Sequence, residues 1–338
     1  MPKLEAVPDQ PGDTWQAPDV VDWLDEVEDK RRYLIKELLP AESFILMSGQ
    51  QKLTQKTFTA LSMLIAIASG KEMSLIRPEE QGNVLAVEEE GSAAETKARI
   101  LALCTAMKVP YKSLRGKFNW VFRHGVLLND EKWQLRLLRE TERLKPKLIM
   151  FDAMFALHTA NENDSGEMAP IVHFLKNLTT VSGASVLVLA HLNESSGWNP
   201  RADIDRQVRG SGIIPQAVDK HLALRRYDER EKEIKLITRA RGAAPNNYTI
   251  QWSFETSHDK KGDQKLDAAF ISIAPTAEHS PYPTADTFKP ELGKTYTRQF
   301  LRGVFGSLPK ASTFVEQQLQ NGVFKIAGDK KWECVKDS

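Results

Sequence analysis

The sequence is poor in cysteine, in long apolar runs and in net charge. Its 338 residues hold two cysteines, Cys104 and Cys334, 230 positions apart and neither in a CxxC pair. That scarcity excludes a disulfide framework and a cysteine-built zinc site, and it suits a reducing compartment. No run of 18 apolar residues occurs, which excludes an apolar membrane-spanning helix. The opening segment "MPKLEAVPDQPGDTW" carries no apolar signal core, so a cytoplasmic location without membrane contact is expected. With 46 Lys and Arg against 45 Asp and Glu, the formal charge is +1. No global field draws the chain to nucleic acid, and any such contact has to come from a local basic surface. What remains is ordinary for a globular chain: 41% hydrophobic and 27% charged residues. The length suits one large domain and a small one, at roughly 100–200 residues each.

Residues 1–20 contain four prolines and read as part of an N-terminal arm, 1–40, in which "VVDWLDEVEDKRRYLIKELLP" forms a short helix and a connecting stretch. From Ser43 the pattern becomes short apolar strands alternating with helices. The strands are 43–47, 83–88, 118–122, 147–151 and 185–190; the helices are 57–69, 93–106, 130–144 and 166–181. Near-continuous Val/Ile/Leu strands joined by helices predict an α/β fold with a mostly parallel sheet covered on both faces. After residue 220, "HLALRRYD", "KEIKLITRAR" and "NYTIQWSFE" read as an antiparallel extension of that sheet, closing a core of 41–273. A polar, proline-containing linker, 274–291, follows. In 292–338, "YTRQFLRGVF" reads as a helix, "SLPKASTFVEQQLQNG" as a second helix and "VFKIAGDKKWECVK" as a hairpin, a winged-helix-like outline.

The stretch "MSGQQKLTQKTF", residues 47–58, sits between a strand and a helix, where a phosphate-binding loop belongs. Such a loop aims backbone N–H groups at phosphates, neutralises charge with a lysine and meets magnesium with a hydroxyl. Registered on Lys56 and Thr57, the pattern GxxxxGK[ST] needs glycines at 50 and 55. Gln50 and Gln55 stand there, with one glycine displaced to Gly49. A Cβ before the lysine costs energy if φ is positive, so the loop alone leaves a surface helix with a chance lysine and threonine open. Three later strand ends favour the phosphate reading. "VLAVEEEGS" ends in acids, with Glu90 placed as a general base for water. "KPKLIMFDAMFALH" ends its apolar run in Asp152, the Walker B arrangement for magnesium. "ASVLVLAHLNESS" ends in His191, a polar group suited to sensing a γ-phosphate. Ligands of open α/β sheets bind at these carboxyl ends.

Together "LLPAESFILMSGQQKLTQKTF", "IASGKEM", "NVLAVEEEGS", "LIMFDAMFALHTANENDSGEM", "GASVLVLAHLNESS" and "RQVRGSGIIPQAVDKHLALRR" resemble the RecA-fold P-loop ATPases of the RepA/DnaB-like hexameric helicase branch. Residues 30–255 carry that resemblance. It implies an ATP site built from Gly49, Gln50, Gln51, Lys52, Gln55, Lys56, Thr57, Phe58 and His191. Magnesium would lie on Thr57 and Asp152, with Glu90 as catalytic base. It further implies a homo-oligomer, such as a hexameric ring, moving single-stranded DNA through a central channel, in a phage, plasmid or integrated element. Arg209, in "RGSG", would face DNA or a neighbouring subunit, and the polar loops 153–166 and 195–212 would grip the strand. The departures at Gln50 and Gln55, and Ala190-His191 where the branch has a doubled histidine, leave a weakened or inactive DNA-binding, scaffold or regulatory relative as the alternative.

Such motors stabilise charge with a basic residue supplied by the adjacent subunit. Arg239 and Arg241 in "LITRARGAAPN" fit that role, as does Lys220; solvated arginines guarding an edge strand are the other reading. In the tail, Lys310, Ser312 and Thr313 at a helix start and Lys330 and Lys331 at a wing tip are placed to meet DNA phosphates. A small packing domain making protein contacts remains open there.

Overall fold

The computed structural model describes residues 19–27, 31–193, 204–226, 232–241, 243–258, 262–276, 295–297, 301, 314–316, 318–321, 323–328 and 331–334. The chain divides into two compact units, Met1–Ala274 and Pro275–Ser338. The first begins with helix α1 (Val20–Glu26) and a small antiparallel pair, β1 (Tyr33–Ile35) and β2 (Leu39–Pro40). Then come β3 (Phe44–Gly49), α2 (Lys56–Ser69), β4 (Val84–Glu88), α3 (Ala93–Ala106), β5 (Phe118–Phe122), α4 (Glu131–Leu144) and β6 (Leu148–Asp152). After these follow α5 (Ser165–Ser182), β7 (Ser185–His191), α6 (Ile213–Ala217), β8 (Lys220–Arg225), β9 (Glu233–Ala240), β10 (Ala243–His258) and β11 (Gln264–Pro275).

Nine of these strands form one sheet in the order β11-β10-β9-β8-β3-β7-β6-β4-β5. From β8 to β5 every neighbouring pair is parallel. Strands β3, β4 and β6 are buried at every residue, because helices cover both faces. On one side α2 and α3 pack through Leu61, Leu64 and Leu103. On the other, α4 and α5 pack through Leu137, Ile171 and Leu175. Helix α2 is apolar nearly all round and lies in the core, as such a helix must. The helix boundaries follow local chemistry. Ser92, Asp130 and Asp164 cap α3, α4 and α5 with side-chain oxygens. Gly70 and Gly183 close α2 and α5 in the left-handed conformation.

The structure is the expected α/β architecture, with one correction. The "HLALRRYD" strand, β8, runs parallel to β3, and the antiparallel extension begins at β9. The turn at Asp205–Gln207 and the short α6 return the chain to the starting end of the sheet before β8 begins.

In the second unit, β12 (Thr295–Thr297), β13 (Phe324–Gly328) and β14 (Lys331–Cys334) form a sheet in the order β12-β14-β13. Phe314, Val315, Val323 and Phe324 pack its core with Leu301. The last two strands are the hairpin read from the sequence, and Phe314–Glu316 and Gln318–Gln320 are helical within the second helix read there. Tyr296 and Thr297, read as the start of a helix, instead pair with Trp332 and Lys331; a Thr-Tyr-Thr triplet favours a pleated edge. The 274–291 linker lies almost wholly outside the described residues.

Candidate nucleotide site

Strand β3 delivers the chain to Gly49, where only glycine fits: a Cβ there would meet Thr54 Oγ1 at 2.4 Å and the Leu224 carbonyl at 3.1 Å. The loop from Gln50 to Gln55 closes on itself, Thr54 Oγ1 donating to the Gln50 carbonyl at 3.0 Å. The two glutamines behave differently. Gln50 keeps negative φ, and its Oε1 accepts the Arg226 N–H at 2.8 Å, tying the loop to the end of β8. Gln55 adopts φ 54° and ψ 37°, the left-handed conformation that a glycine takes without strain, and Lys52 is also left-handed, at φ 60°. Gln55 places no side chain on the start of α2. The first-turn N–H groups of that helix have no intrahelical acceptor, so they form an uncapped cradle suited to an anion.

Lys56 is buried, and its ammonium folds back on the loop, donating to the carbonyls of Gly49 at 2.7 Å and Gln50 at 3.1 Å. Next to it, Thr57 Oγ1 donates to Asp152 Oδ2 at 2.9 Å. Burial pushes the Asp152 carboxyl up to about 6, against the opposing hydrogen bond from Thr57. Glu90 and His191 come from the ends of β4 and β7. His191 Nε2 lies 3.6 Å from Glu90 Oε2, an ion-pair contact too long for a hydrogen bond. This contact holds the Glu90 carboxyl below its ordinary value, with Lys56 adding to the effect. All of these residues, with Gln50, Gln51, Lys52, Gln55 and Phe58, line one cleft of about 500 Å³. Phe58 meets it from an aromatic cluster with Trp252 and Phe254, its ring centroid 5.4 Å and 5.3 Å from theirs.

The sequence reading passed over Glu88, Thr96 and Arg99, which line or flank this cleft. Glu88 sits opposite Asp152 in the β4–β6 register and is buried. Burial, and then the nearby Asp152 charge, push its carboxyl up to about 7, while Thr96 Oγ1 donates to it. Arg99, from α3, reaches the cleft over the Phe58 ring. The signal for Glu88 and Thr96 was the two-residue alternation 88, 90 and the ring of polar residues after it, blurred by three consecutive glutamates.

The remaining candidates fall elsewhere. Lys220 is buried, with its ammonium donating to the Glu37 carbonyl and its pKa pushed down to about 8 by burial. Buried on its own chain, it does not present its ammonium at the surface, which counts against the reading of Lys220 as a cation supplied to an adjacent subunit. Arg239 pairs with Asp205 at 3.0 Å, and Arg241 donates to the Gln216 carbonyl at 2.7 Å; neither lines the cleft of its own chain. Arg209 pairs with Glu162 at 2.8 Å and lies over the Phe155 ring, which itself packs on His191. A chain of contacts thus runs from Glu90 through His191, Phe155 and Arg209 to the 153–166 loop. Lys331 is exposed at the start of β14, whereas Lys310, Ser312, Thr313, Lys330 and residues 194–203 of the second polar loop lie outside the described residues.

A hard cation fits what is present. Magnesium takes one or two carboxylates plus phosphate oxygens rather than an all-protein cage, and Thr57 with Asp152 offers an oxygen-only pair beside the anion cradle. No cluster of three metal-ligating side chains occurs among the described residues.

Comparison with known proteins gives a family and a fold. Among solved structures, a KaiC-like protein of the archaeon Pyrococcus horikoshii is 14% identical, with 73% of this chain and 99% of that one covered at a TM-score of 0.44. A DnaB-like replicative helicase, whose structure was reported with its interactions with primase, is also 14% identical. There the match covers 74% of this chain and 66% of that chain at a TM-score of 0.52, which supports the RecA-like fold. A search of curated proteins finds no match. A family model described as AAA domain matches residues 11–197. Since that match spans more than half of the 338 residues, the chain belongs to the AAA domain family.

Proposed function

We propose that the protein is a magnesium-dependent ATPase acting on DNA, an oligomeric motor of the replicative-helicase kind from a phage, plasmid or integrated element. The observation that carries the reading is the Thr57–Asp152 hydrogen bond in a cleft shared with Lys56, Glu90 and His191. Thr57 and Asp152 would hold magnesium, which when bound neutralises phosphate charge and orients the leaving group. The uncapped start of α2 binds the phosphates through backbone N–H groups, and Lys56 exchanges the Gly49 and Gln50 carbonyls for phosphate oxygens. Glu90, kept ionised by His191, orients the attacking water and takes its proton. His191 sits between that carboxylate and the Phe155–Arg209 contact, where a change at Glu90 reaches the polar loops. Arg239 or Arg241 of an adjacent subunit supplies positive charge from outside the cleft, and single-stranded DNA runs past Arg209. The helicase reported with primase, whose fold this chain shares, supports the DNA reading.

ATP turnover with and without single-stranded DNA tests the proposal. Wild type should hydrolyse ATP faster with DNA, while Lys56→Ala and Glu90→Gln should each fall by a factor on the order of 10² or more. Equal rates in the three proteins refute it. A second reading rests on a specific observation, the strained Gln55 and the inward-folded Lys56: a relative that binds nucleotide without turning it over. Saturable binding of ATP by wild type, with no hydrolysis in any condition, selects it.

A further inference from the structure

Helix α4 carries a line of positive charge. Lys132, Arg136, Arg139 and Arg143 recur at i, i+4, i+7 and i+11, which sets all four within about 60° of arc on a helix of about 3.6 residues per turn. All four are exposed, on the side opposite Leu137, Thr141 and Leu144, the residues that α4 buries. At a rise of about 1.5 Å per residue the line is roughly 16 Å long. The acids of the helix fall outside it, Glu131 and Glu142 on one flank and Glu140 on the other. Arg143 pairs with Glu140, and Arg136 lies 4.6 Å over the Trp133 ring. Lys132, Arg136 and Arg139 enter no ion pair among the described residues.

This arrangement weakens the helix that carries it. Like charges at i, i+3 and i, i+4 repel, and along this line such neighbours follow one another without a break. Lys132 also stands in the first turn, where the helix dipole favours an acid. An anion laid along the line removes the repulsion. The edge of the sheet is positive on its other face as well. There, between α3, the turn Tyr111–Leu114 and the edge strand β5, a groove of about 1070 Å³ is floored by half-open aromatic residues of β5. Lys97, Lys112 and Arg115 rim it, and no acidic residue lines it. In a chain whose formal charge is +1, these are the local basic surfaces that a nucleic-acid contact needs.

We infer that α4 holds the phosphate backbone of DNA along the exposed face of the core. The inference rests on the DNA reading above and adds a contact apart from the nucleotide cleft, which no residue of α4 lines. Phosphates repeat about every 3.4 Å along a stacked strand, so a line of this length spans about five of them. Each cation that meets a phosphate releases a counterion, and that gain needs no base contact. The contact is therefore indifferent to sequence, which suits a protein that moves along DNA. A protein partner would need apolar area as well as charge. Of the apolar residues of α4 only Leu135 is exposed, too little for a protein to seat on.

The test uses full-length protein and labelled DNA, single-stranded and duplex in separate arms, titrated by fluorescence anisotropy from about 50 to 200 mM salt. The variant Lys132→Gln, Arg136→Gln, Arg139→Gln, Arg143→Gln should bind about tenfold or more weakly at the low-salt end. Its slope of log K against log salt should fall by up to about 3 on the single strand or about 4 on the duplex, at about 0.7 and 0.9 per contact. Arg136→Gln with Arg139→Gln should give about half that change, and Arg136→Lys with Arg139→Lys and Arg143→Lys should keep the slope, because charge is what the line supplies. Circular dichroism checks the fold, and the ATPase rate without DNA should match wild type. Loss of slope in either arm supports the contact and says which form of DNA the line holds. A wild-type slope in the glutamine variants overturns the inference and leaves the DNA reading standing. A four-glutamine variant that also loses self-association in sedimentation velocity overturns it too, since the line then faces an acidic surface of another copy. A wild type that binds neither form of DNA at any salt overturns both.

Discussion

The left-handed residue before Lys56 gives a test of the loop that needs no nucleotide. Gln55 is held at φ 54° and ψ 37°, and its side chain makes no hydrogen bond to α2. A residue with a Cβ pays about 1–2 kcal/mol for that conformation. Glycine removes this cost but gives back about 0.5–1 kcal/mol of extra freedom in the unfolded chain. Gln55→Gly should therefore stabilise the protein by about 0.5–1 kcal/mol, and Gln55→Ala, which keeps the Cβ, should not. The sharper comparison sets the two variants against each other, with glycine ahead of alanine by about 1 kcal/mol. Ala98, inside α3, is the control: Ala98→Gly should lose about 1 kcal/mol, the opposite sign, because there the backbone is ordinary helix. Urea midpoints read by far-UV circular dichroism, compared at equal slope, measure all three. If Gln55→Ala proves as stable as Gln55→Gly while Ala98→Gly behaves as expected, the strain assigned to the loop is absent.

Two further outcomes follow from the same strands. Gly49→Ala should cost roughly 1–3 kcal/mol by overpacking against Thr54 Oγ1 and the Leu224 carbonyl. Adding Thr54→Ala should recover about 1 kcal/mol of that loss, and strictly additive midpoints would contradict the contact. For Lys220, burial holds the folded pKa near 8 against an ordinary 10.5. The unfolded chain thus binds the proton more tightly, and stability rises as pH climbs from about 8 towards 10.5. Lys220→Met should raise the melting temperature more at pH 7.5 than at pH 9.5, and an equal gain at both would show that this ammonium is not desolvated.

The parallel sheet was legible because strands buried on both faces have no polar positions to break the run: "KLIMF" and "SVLVLA" cannot be read as surface. Lys56, Thr57, Glu90, Asp152 and His191 stood out for the complementary reason, as polar residues where such runs stop. The direction of β8 was not legible. It depends on how the chain returns between Leu192 and Lys220, where α6 has only five residues, including Pro215, and no periodic pattern. Lys220 misled because a lysine at the start of a strand looks the same in sequence whether its ammonium meets water or the Glu37 carbonyl. The groove beside β5 was hidden as well. "FNWVF" reads as one more buried strand, and only the sheet order makes it an edge with its aromatic face half open.

That sheet order also brings together a serine, a histidine and an aspartate in the sequence of a hydrolytic triad, and burial decides what they do. Ser48 Oγ lies 2.7 Å from His221 Nε2, and His221 Nδ1 lies 2.6 Å from Asp205 Oδ1. A nucleophile needs a site about 3 Å away where a substrate atom can sit. Ser48 is wholly buried inside β3 and lines no cavity found beside it, so the array cannot act on a substrate. Its remaining contact gives the better account: Asp205 Oδ2 accepts from Arg239 at 3.0 Å. A hydrogen-bonded chain therefore runs from the partly exposed Arg239 and Asp205 to the buried His221 and Ser48, the residue immediately before Gly49. The buried pair, Ser48 and His221, is held in one arrangement, because an unpaired buried group would cost about 1–3 kcal/mol. The residue before Gly49 and Arg239 are thus joined through the same four side chains.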